Sequence, residues 1–340
     1  MKRTAIISIL LFAVISAQAQ RINNEDKKFL QQKEDSLKVF ADKLINGNSA
    51  TIRFSNDSLF TRMFVKALKT NHSFNFRFDS LITISKLYPP DSSFRIFSWQ
   101  MVVNENLVRQ HGAIQMKTAD GSLKLFPLID KSDVTLNIVD TVANNLGWMG
   151  AVYYKILQNR SSNQNYYTLL GYDENNIRSS RKIIEVLSFS NDAPLFGGRY
   201  FSYEEDTSFK SATSRYVMEY KKSAGARLAY DADLNMIIAE HLESETNEPK
   251  KKWTFIPDGD YEGFKWKNGK WVHVEKVFHQ ITPEGMAPMP NPVKDAMGNT
   301  VEEKLKDNIV EDNEPAAEKA PVKKTTTPVK KQTNKKGGDQ

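Results

Sequence analysis

Short runs of alternating apolar residues dominate the chain between residues 94 and 275, and polar turns separate them. Alternation with a period of two is typical of a strand that buries one face. The connections are short, and after residue 147 there is little room for the crossover helices that parallel pairing needs. The pattern therefore predicts one large antiparallel β domain. The predicted strands cover residues 94–103, 107–117, 122–128, 147–158, 165–172, 181–189, 196–203, 214–221, 226–230, 236–242, 253–256, 263–266 and 270–275.

The clearest turn in this region is the pair Asn268-Gly269. Both residues adopt positive φ readily, as the type I′ turn of a tight hairpin requires. Trp266 and Trp271 flank the turn, so we expect their rings to pack across the two strands. The chain shows no fixed repeat of the roughly 40–50 residues found in propellers. A sandwich, a rolled barrel and an irregular propeller all stay open at this point.

The part of the chain before residue 72 has the period of helices instead. A first helix is predicted over residues 22–45, with Asn23 or Asn24 as its N-cap and Gly47 at its end. Its apolar residues share one face, at Phe29, Leu30, Leu37, Phe40 and Leu44.

A second helix is predicted over residues 57–69, with Ser55 or Asn56 as its cap and with Phe60, Phe64 and Leu68 on its apolar face. Core packing explains these rings without any ligand. After them, Phe74, Phe76 and Phe78 alternate, which predicts a half-buried strand.

The first residues have the three parts of a secretory signal peptide. Lys2 and Arg3 precede an apolar run over residues 6–15, and Ala17-Gln18-Ala19 supplies the small residues that signal peptidase reads. The run is too short for the roughly 20 residues of a membrane anchor, and no other segment approaches that length. A lipoprotein would need a cysteine at the cleavage point, and the chain has none. We therefore expect an exported protein, periplasmic or extracellular, that folds by burial without disulfides.

Four segments are expected from these patterns. They are a signal peptide over residues 1–19, N-terminal helices over 20–72, an antiparallel β domain over 73–281, and a disordered Pro/Lys-rich tail over 282–340. The tail has few apolar residues and many charges, so it has no core to form. The fold class is α+β and mostly β.

The net charge of +6 belongs to the ends of the chain and not to the predicted fold. Residues 315–340 carry seven lysines against Glu318 and Asp339, and the signal peptide carries two more cations. Residues 20–314 are therefore close to neutral, at about −1. A basic nucleic-acid-binding face on the folded part is not supported.

The tail itself predicts a loose contact with an anionic envelope surface such as lipopolysaccharide, phospholipid or extracellular nucleic acid. It has no aromatic residue for base stacking, so sequence-specific recognition of nucleic acid is not expected. The alternative is a tail that only keeps the protein soluble. The lysines concerned are Lys323, Lys324, Lys330, Lys331, Lys335 and Lys336.

Three segments resemble those of an uncharacterised exported protein family common in Bacteroidota. They are PDSSFRI at residues 90–96, YTLLGYD at 167–173 and IPDGDYEGF at 256–264, and the resemblance covers residues 25–278. Because that family has no assigned activity, the resemblance implies a protein of the Gram-negative envelope or medium and no catalytic residue.

A calcium loop is the first candidate site. Asp258, Asp260 and Glu262 place oxygen ligands at positions one, three and five, and Gly263 stands at position six, as in the start of an EF-hand loop. Position twelve is Gly269 where the loop needs glutamate. A second segment, residues 231–235, has Met236 where glycine belongs. Both segments are better interpreted as polar hairpin turns, and calcium is the only cofactor kept as an alternative to none.

Other chemistry has weaker support in the sequence. The histidines His72, His111, His241, His273 and His279 form no zinc motif, although His273 and Glu275 share a strand face. Ser179 and Lys182 fit S-x-x-K, but they lead into a strand, where the two side chains point differently. The acids near Trp253 and Trp266 are the ones to inspect for a glycosidase, which needs two carboxyl groups roughly 5–10 Å apart.

Two functions follow as hypotheses. The first is an exported, non-catalytic β-rich protein that binds a ligand or associates with the envelope. The second is an extracytoplasmic hydrolase with glycans as its candidate substrates, whose catalytic acids the sequence does not identify. A cleft with convergent carboxyl groups of raised pKa would favour the hydrolase, and acids confined to hairpin turns would favour the binding protein. A broad exposed apolar patch would instead indicate a subunit of a larger complex.

We predict that the mature protein begins at Gln20, because Ala17 and Ala19 occupy the positions that signal peptidase reads. Intact mass measurement of the protein from its native host, after fractionation, tests the prediction. The expected mass lacks residues 1–19 and is found outside the cytoplasm. An unprocessed chain with Met1 in the cytosolic fraction would contradict export.

Overall fold

A computed structural model describes residues 22–203 and 212–278. All of these residues belong to one compact unit. The predicted signal peptide, the predicted tail with its lysines, and His279 lie outside the described residues.

Two helices open the described chain. Helix α1 spans Asn24–Asn46 and begins as predicted, since the side chain of Asn23 accepts a hydrogen bond from the backbone N–H of Asp26 at 2.7 Å. Helix α2 spans Ala50–Leu68. Neither helix is long and apolar enough to cross a membrane.

The predicted start of α2 is wrong. The N-cap is Ser49, whose hydroxyl accepts from the backbone N–H of Ile52 at 3.3 Å. Ser55 and Asn56 lie inside the helix, where their side chains donate to the carbonyl of Ile52 at 3.1 and 2.8 Å. A cap-forming residue type therefore does not mark a helix start when its side chain bonds back to the preceding turn.

The strand predicted at Phe74–Phe78 is also absent from the described structure. Residues Ser73–Asn75 form a 3-10 turn, and Phe78 has a φ of 55°. The segment wraps a buried arginine, Arg95, whose guanidinium donates to the carbonyls of Ser73 and Phe76 at 2.9 and 2.6 Å. The alternating aromatic residues of this segment thus reflect packing around the Arg95 guanidinium and not a β-strand.

The first of three sheets follows the helices. Strands β1 (Ser85–Leu87), β2 (Phe94–Asn104), β3 (Leu107–Met116) and β4 (Lys124–Ile129) pair antiparallel in that order. Phe97 and Trp99 on β2 pack against the helices, where they meet Phe60 and Phe64 of α2 in edge-to-face contacts. The helices and this sheet therefore share one core.

The second sheet has six strands, which are β5 (Ala143–Asn144), β6 (Val152–Ser161), β7 (Gln164–Asp173), β8 (Ser179–Ser190), β9 (Ala193–Phe196) and β11 (Arg215–Lys221). Strand β11 pairs with one side of β8. The spatial order of the others is β5-β9-β8-β7-β6, all antiparallel.

The third sheet contains β10 (Phe201–Ser202), β12 (Leu228–Asp231), β13 (Met236–Ser244), β14 (Phe255–Lys267) and β15 (Lys270–Val274). Their spatial order is β10-β15-β14-β13-β12. The Asn268-Gly269 hairpin is confirmed, with φ angles of 50° and 81° and a distance of 5.3 Å between the rings of Trp266 and Trp271. One expectation fails here, because β10 pairs parallel to β15.

The three sheets are open over the described residues, which rules out the rolled barrel and shows that the predicted β domain consists of three sheets. One apolar cluster lies between the first and second sheets and includes Ile96, Trp148 and Leu169. Another joins the second and third sheets around Met218 and Phe264. The mostly β class, the N-terminal helices and the mainly antiparallel pairing are as predicted.

An ion pair is buried within the second sheet. Arg215 on β11 donates to Glu185 on β8 at 2.9 and 3.1 Å, and both side chains are at most 1% exposed. The same guanidinium donates to the carbonyls of Ile138 and Thr141, the latter at 2.6 Å. Tyr153 donates to the other oxygen of Glu185. The pair thereby ties two strands and a loop together.

We predict that Glu185→Ala lowers the free energy of unfolding by roughly 3–5 kcal/mol, because it leaves the Arg215 charge buried without a partner. Replacing both residues, as Glu185→Leu with Arg215→Met, should recover part of that loss. Urea denaturation followed by tryptophan fluorescence measures both effects. The matched control is Glu245→Ala, which breaks the exposed pair with Lys221 and should cost about 1 kcal/mol or less. A single variant as stable as this control would contradict the prediction.

Candidate functional site

A cleft of about 870 Å³ lies between the second and third sheets. Strand β11 lines one side with five consecutive residues, from Arg215 to Glu219. The opposite side comes from β13, through His241 and Leu242, and from β14, through Phe255 and Glu262. Its volume is in the range of small-ligand sites in proteins.

Glu262 is a cleft carboxylate whose two oxygens are both engaged by residues of other strands. Its Oε2 lies 2.7 Å from Nε2 of His273, which is buried on β15. Its Oε1 accepts a hydrogen bond from the hydroxyl of Tyr216 on β11. Three strands therefore converge on one carboxyl group that lines the cleft.

The partners of Glu262 keep it ionised. Burial by itself opposes the charge, but the hydrogen bonds from His273 and Tyr216 outweigh it and hold the pKa of Glu262 below its ordinary value. Burial, with the adjacent Glu262 charge, raises the pKa of the Tyr216 hydroxyl well above its ordinary value. The cleft thus presents a fixed anion beside a phenol that stays protonated.

A second carboxylate–imidazole pair stands at the rim. Nδ1 of His241 lies 2.6 Å from Oδ2 of Asp258, and the His241 side chain is about half exposed, at 47%. Burial again opposes the charge of Asp258, while the hydrogen bonds from His241 and from the N–H of Asp260 lower its pKa. The contact fixes the ring of His241 and leaves its other nitrogen for a ligand.

An ionic cluster forms the wall beside β11. Arg181 on β8 donates to Glu219 at 2.9 Å, and Ser179 donates to the same carboxylate at 2.6 Å. Arg181 also lies 3.8 Å from Asp173, whose pKa is raised by burial. Asp173 is held by Gln110 at 3.0 Å and lies behind Arg181, so it does not line the cleft.

The candidate calcium ligands do not converge. Asp258 faces His241, Asp260 pairs with Lys276 at 3.2 Å, and Glu262 faces His273. Within residues 22–203 and 212–278, no group of three or more His, Cys, Asp or Glu side chains is placed to hold a metal. The segment is also not a hairpin turn, because it lies inside β14 at a bulge opposite β13.

Other candidates from the sequence occupy structural places. Residues 231–235 form the turn between β12 and β13, where Asp231 accepts from the N–H groups of Asp233 and Leu234. Ser179 and Lys182 begin β8 and, three residues apart on a strand, face opposite sides. Trp253 stacks under Arg178 at 4.3 Å, and Trp266 packs on Trp271.

The sequence did not identify the contact between Glu262 and His273, although a signal for it was present. The two-residue turn at Asn268-Gly269 fixes the register of β14 and β15, which pairs Phe264 with His273. Glu262 shares that face and is the diagonal neighbour of His273. The partner named from the sequence, Glu275, is exposed beyond the end of β15. Tyr216 comes from a different sheet and had no local signal.

Comparisons of the chain with protein-family models, with curated proteins and with solved structures gave no match.

We predict that Glu262 makes stability depend on pH in the acid range. Its folded pKa lies below its unfolded value, so its contribution is complete above about pH 5 and is lost as the pH falls through the folded pKa. The free energy of unfolding of Glu262→Gln should therefore fall less steeply on acidification than that of the wild type. Urea denaturation at pH 7, 5, 4 and about 3 measures both slopes.

The matched control for that series is Glu243→Gln, an exposed acid on the neighbouring strand β13. Its slope should follow the wild type. If Glu262→Gln also follows the wild type at every pH, Glu262 is not stabilised as an anion by its neighbours.

Proposed function

We propose that this protein is exported and acts outside the cytoplasm as a non-catalytic binding protein, with the cleft beside β11 as its ligand site. The observation that carries the proposal is the state of Glu262. Both of its oxygens are engaged by fixed partners, and its pKa is lowered. Such a carboxylate supplies a preorganised acceptor and ion-pairing surface, which suits recognition.

The same observation weighs against the alternative, an extracytoplasmic hydrolase acting on glycans. That chemistry needs one carboxyl group with a raised pKa that protonates the leaving group. The carboxyl groups that line the cleft in the described residues are Glu219 and Glu262. Glu219 is engaged by Arg181 and Ser179, and Glu262 favours its ionised form.

Export and the tail belong to the same proposal. The signal-peptide pattern of residues 1–19 and the resemblance to Bacteroidota exported proteins support a periplasmic or extracellular location. The lysines of residues 319–336 support a loose, salt-sensitive contact with an anionic envelope surface. In this arrangement the tail holds the protein near the envelope while the cleft binds its ligand.

We predict that the cleft binds a ligand through contacts that include Phe255. The full mature chain, residues 20–340, is screened against two probes, an oligosaccharide array and a displayed library of random seven-residue peptides. Phe255→Ala should weaken the best ligand at least about tenfold, as loss of an aromatic contact at a binding site does. Phe54→Ala is the matched control, because Phe54 is exposed on α2 and does not line the cleft.

Three further measurements complete this test. Mass spectrometry of the ligand after long incubation should show it intact, since cleavage would favour the hydrolase. A chain ending at residue 282 should keep the affinity for this ligand and lose retention on vesicles that contain anionic lipid. The proposal is overturned when no ligand from either probe depends on Phe255.

A further inference from the structure

The edge of β11 faces the cleft. Side chains of a strand alternate between its two faces, so a cavity lined by one face meets every second residue. Here the cleft contacts each residue from Arg215 to Glu219. Met218 belongs to the core beneath the third sheet, whereas Glu219 faces Arg181 on the other side. A cavity that touches both faces in this way runs along the edge of the strand.

The register shows which backbone groups point into the cleft. The N–H of Lys222 donates to the carbonyl of Arg178, next to β8, whereas the N–H of Arg215 points the other way and donates to Val139. In an antiparallel pair this direction alternates with every residue. The N–H and C=O groups of Val217 and Glu219 therefore face away from β8 and into the cleft.

Within residues 22–203 and 212–278, strand β11 has no strand partner along this edge. Among the strands of the described residues it pairs with β8 alone, in unbroken register over Arg215–Lys221. It carries no proline or bulge, two of the devices that stop a sheet edge from pairing. Its start is closed by Val139, so the open stretch lies in the cleft itself.

The two sides of the cleft differ in chemistry. On one side of the β11 edge lie Arg181 and Glu219, paired with each other. On the other side lie the rings of Tyr216 and Phe255, and the amino group of Lys252 stands 4.1 Å above the ring of Phe255. No carboxylate of the described residues forms an ion pair with Lys252. Successive side chains of a strand bound in the cleft would therefore face, in turn, the ionic side at Arg181 and Glu219 and the aromatic side at Tyr216 and Phe255.

We propose that the ligand of this cleft is an extended segment of another polypeptide, which adds to the second sheet as a strand along β11. Its backbone pairs with the N–H and C=O groups of Val217 and Glu219. Alternate side chains face the aromatic wall, and an acidic side chain pairs with Lys252. This inference rests on the proposed binding function and names its ligand class. An oligosaccharide has no alternating N–H and C=O groups to match such an edge.

Hydrogen exchange of the free mature chain provides the first test. The amide protons of Val217 and Glu219 should exchange much faster than those of Met218 and Tyr220, which point towards β8. A peptide selected from the random seven-residue library should then slow the exchange of Val217 and Glu219 at least about tenfold. Slow exchange at these two amides in the free protein would overturn the proposal, because the edge would already be occupied.

N-methylation of the selected peptide provides the second test. Removing one backbone donor at a time should weaken binding at least about tenfold at alternate positions and leave the positions between them unaffected. Equal affinity for all methylated peptides would overturn strand addition.

A variant of the protein tests the same contact from the other side. Val217→Pro removes an outward-facing N–H without removing a bond to β8, and should weaken peptide binding. Val217→Ala is the matched control, because it keeps that N–H. Because the ligand series does not need these variants, it decides the question even if Val217→Pro fails to fold.

The class of ligand that depends on Phe255 separates strand addition from binding in general. If oligosaccharides bind with dependence on Phe255 and peptides do not, the cleft is a binding site and strand addition is wrong. If no ligand of either class depends on Phe255, both proposals fall. Weaker binding of peptides to Lys252→Ala, with the largest loss for peptides that carry Asp or Glu, supports the assigned charge contact.

Discussion

The ion pair between Glu185 and Arg215 fixes the part of the molecule on which the cleft depends. Two charges are taken out of water, which costs several kcal/mol for each ion unless fixed partners replace the solvent. Arg215 finds them in Glu185 and in the carbonyls of a loop, and Glu185 finds a third donor in Tyr153. Because every one of these partners is specific, β11 has one position against β8. Its opposite edge is then left facing the cleft.

Buried arginine has the same role at the first sheet, with different partners. Arg95 donates to the carbonyls of Ser73 and Phe76, to the amide oxygen of Gln115 and to the hydroxyl of Tyr88. Aromatic rings surround it, and that of Phe97 is 4.7 Å away. In both places a guanidinium satisfies the carbonyls of a segment that belongs to no sheet. A chain without cysteine thereby anchors its loops to its sheets by hydrogen bonds that are too well buried for water to replace.

The sequence predicted those features whose signals are local. The turn at Asn268-Gly269, the cap at Asn23 and the strands with alternating apolar residues depend on neighbours within a few residues. The cap at Ser49 was missed because Ser55 is an equally good capping residue by type. Only the hydrogen bond from the Ser55 hydroxyl to the carbonyl of Ile52 shows that Ser55 lies within the helix. The parallel pairing of β10 with β15 depends on contacts far apart in the chain, and no periodicity reports them. Tyr216 was missed for the same reason, since it reaches Glu262 from a different sheet, whereas the hairpin register at Asn268-Gly269 already made the contact of Glu262 with His273 predictable.

The DGD segment that resembles a calcium loop is better explained by the bulge it forms. Opposite the single residue between Glu240 and Leu242, β14 has three residues, Asp258 to Asp260, with Gly259 at a φ of 96°. A bulge turns side chains away from the direction that regular pairing would give them. Here the bulge places His241 at the cleft, and Asp258 lies within hydrogen-bond distance of the Nδ1 of that ring. The acidic residues thus shape and orient one side of the cleft, and β11 supplies the backbone edge on the other. Because the pattern of acids and glycine is the same for a metal loop and for such a bulge, only the pairing of β13 with β14 separates the two.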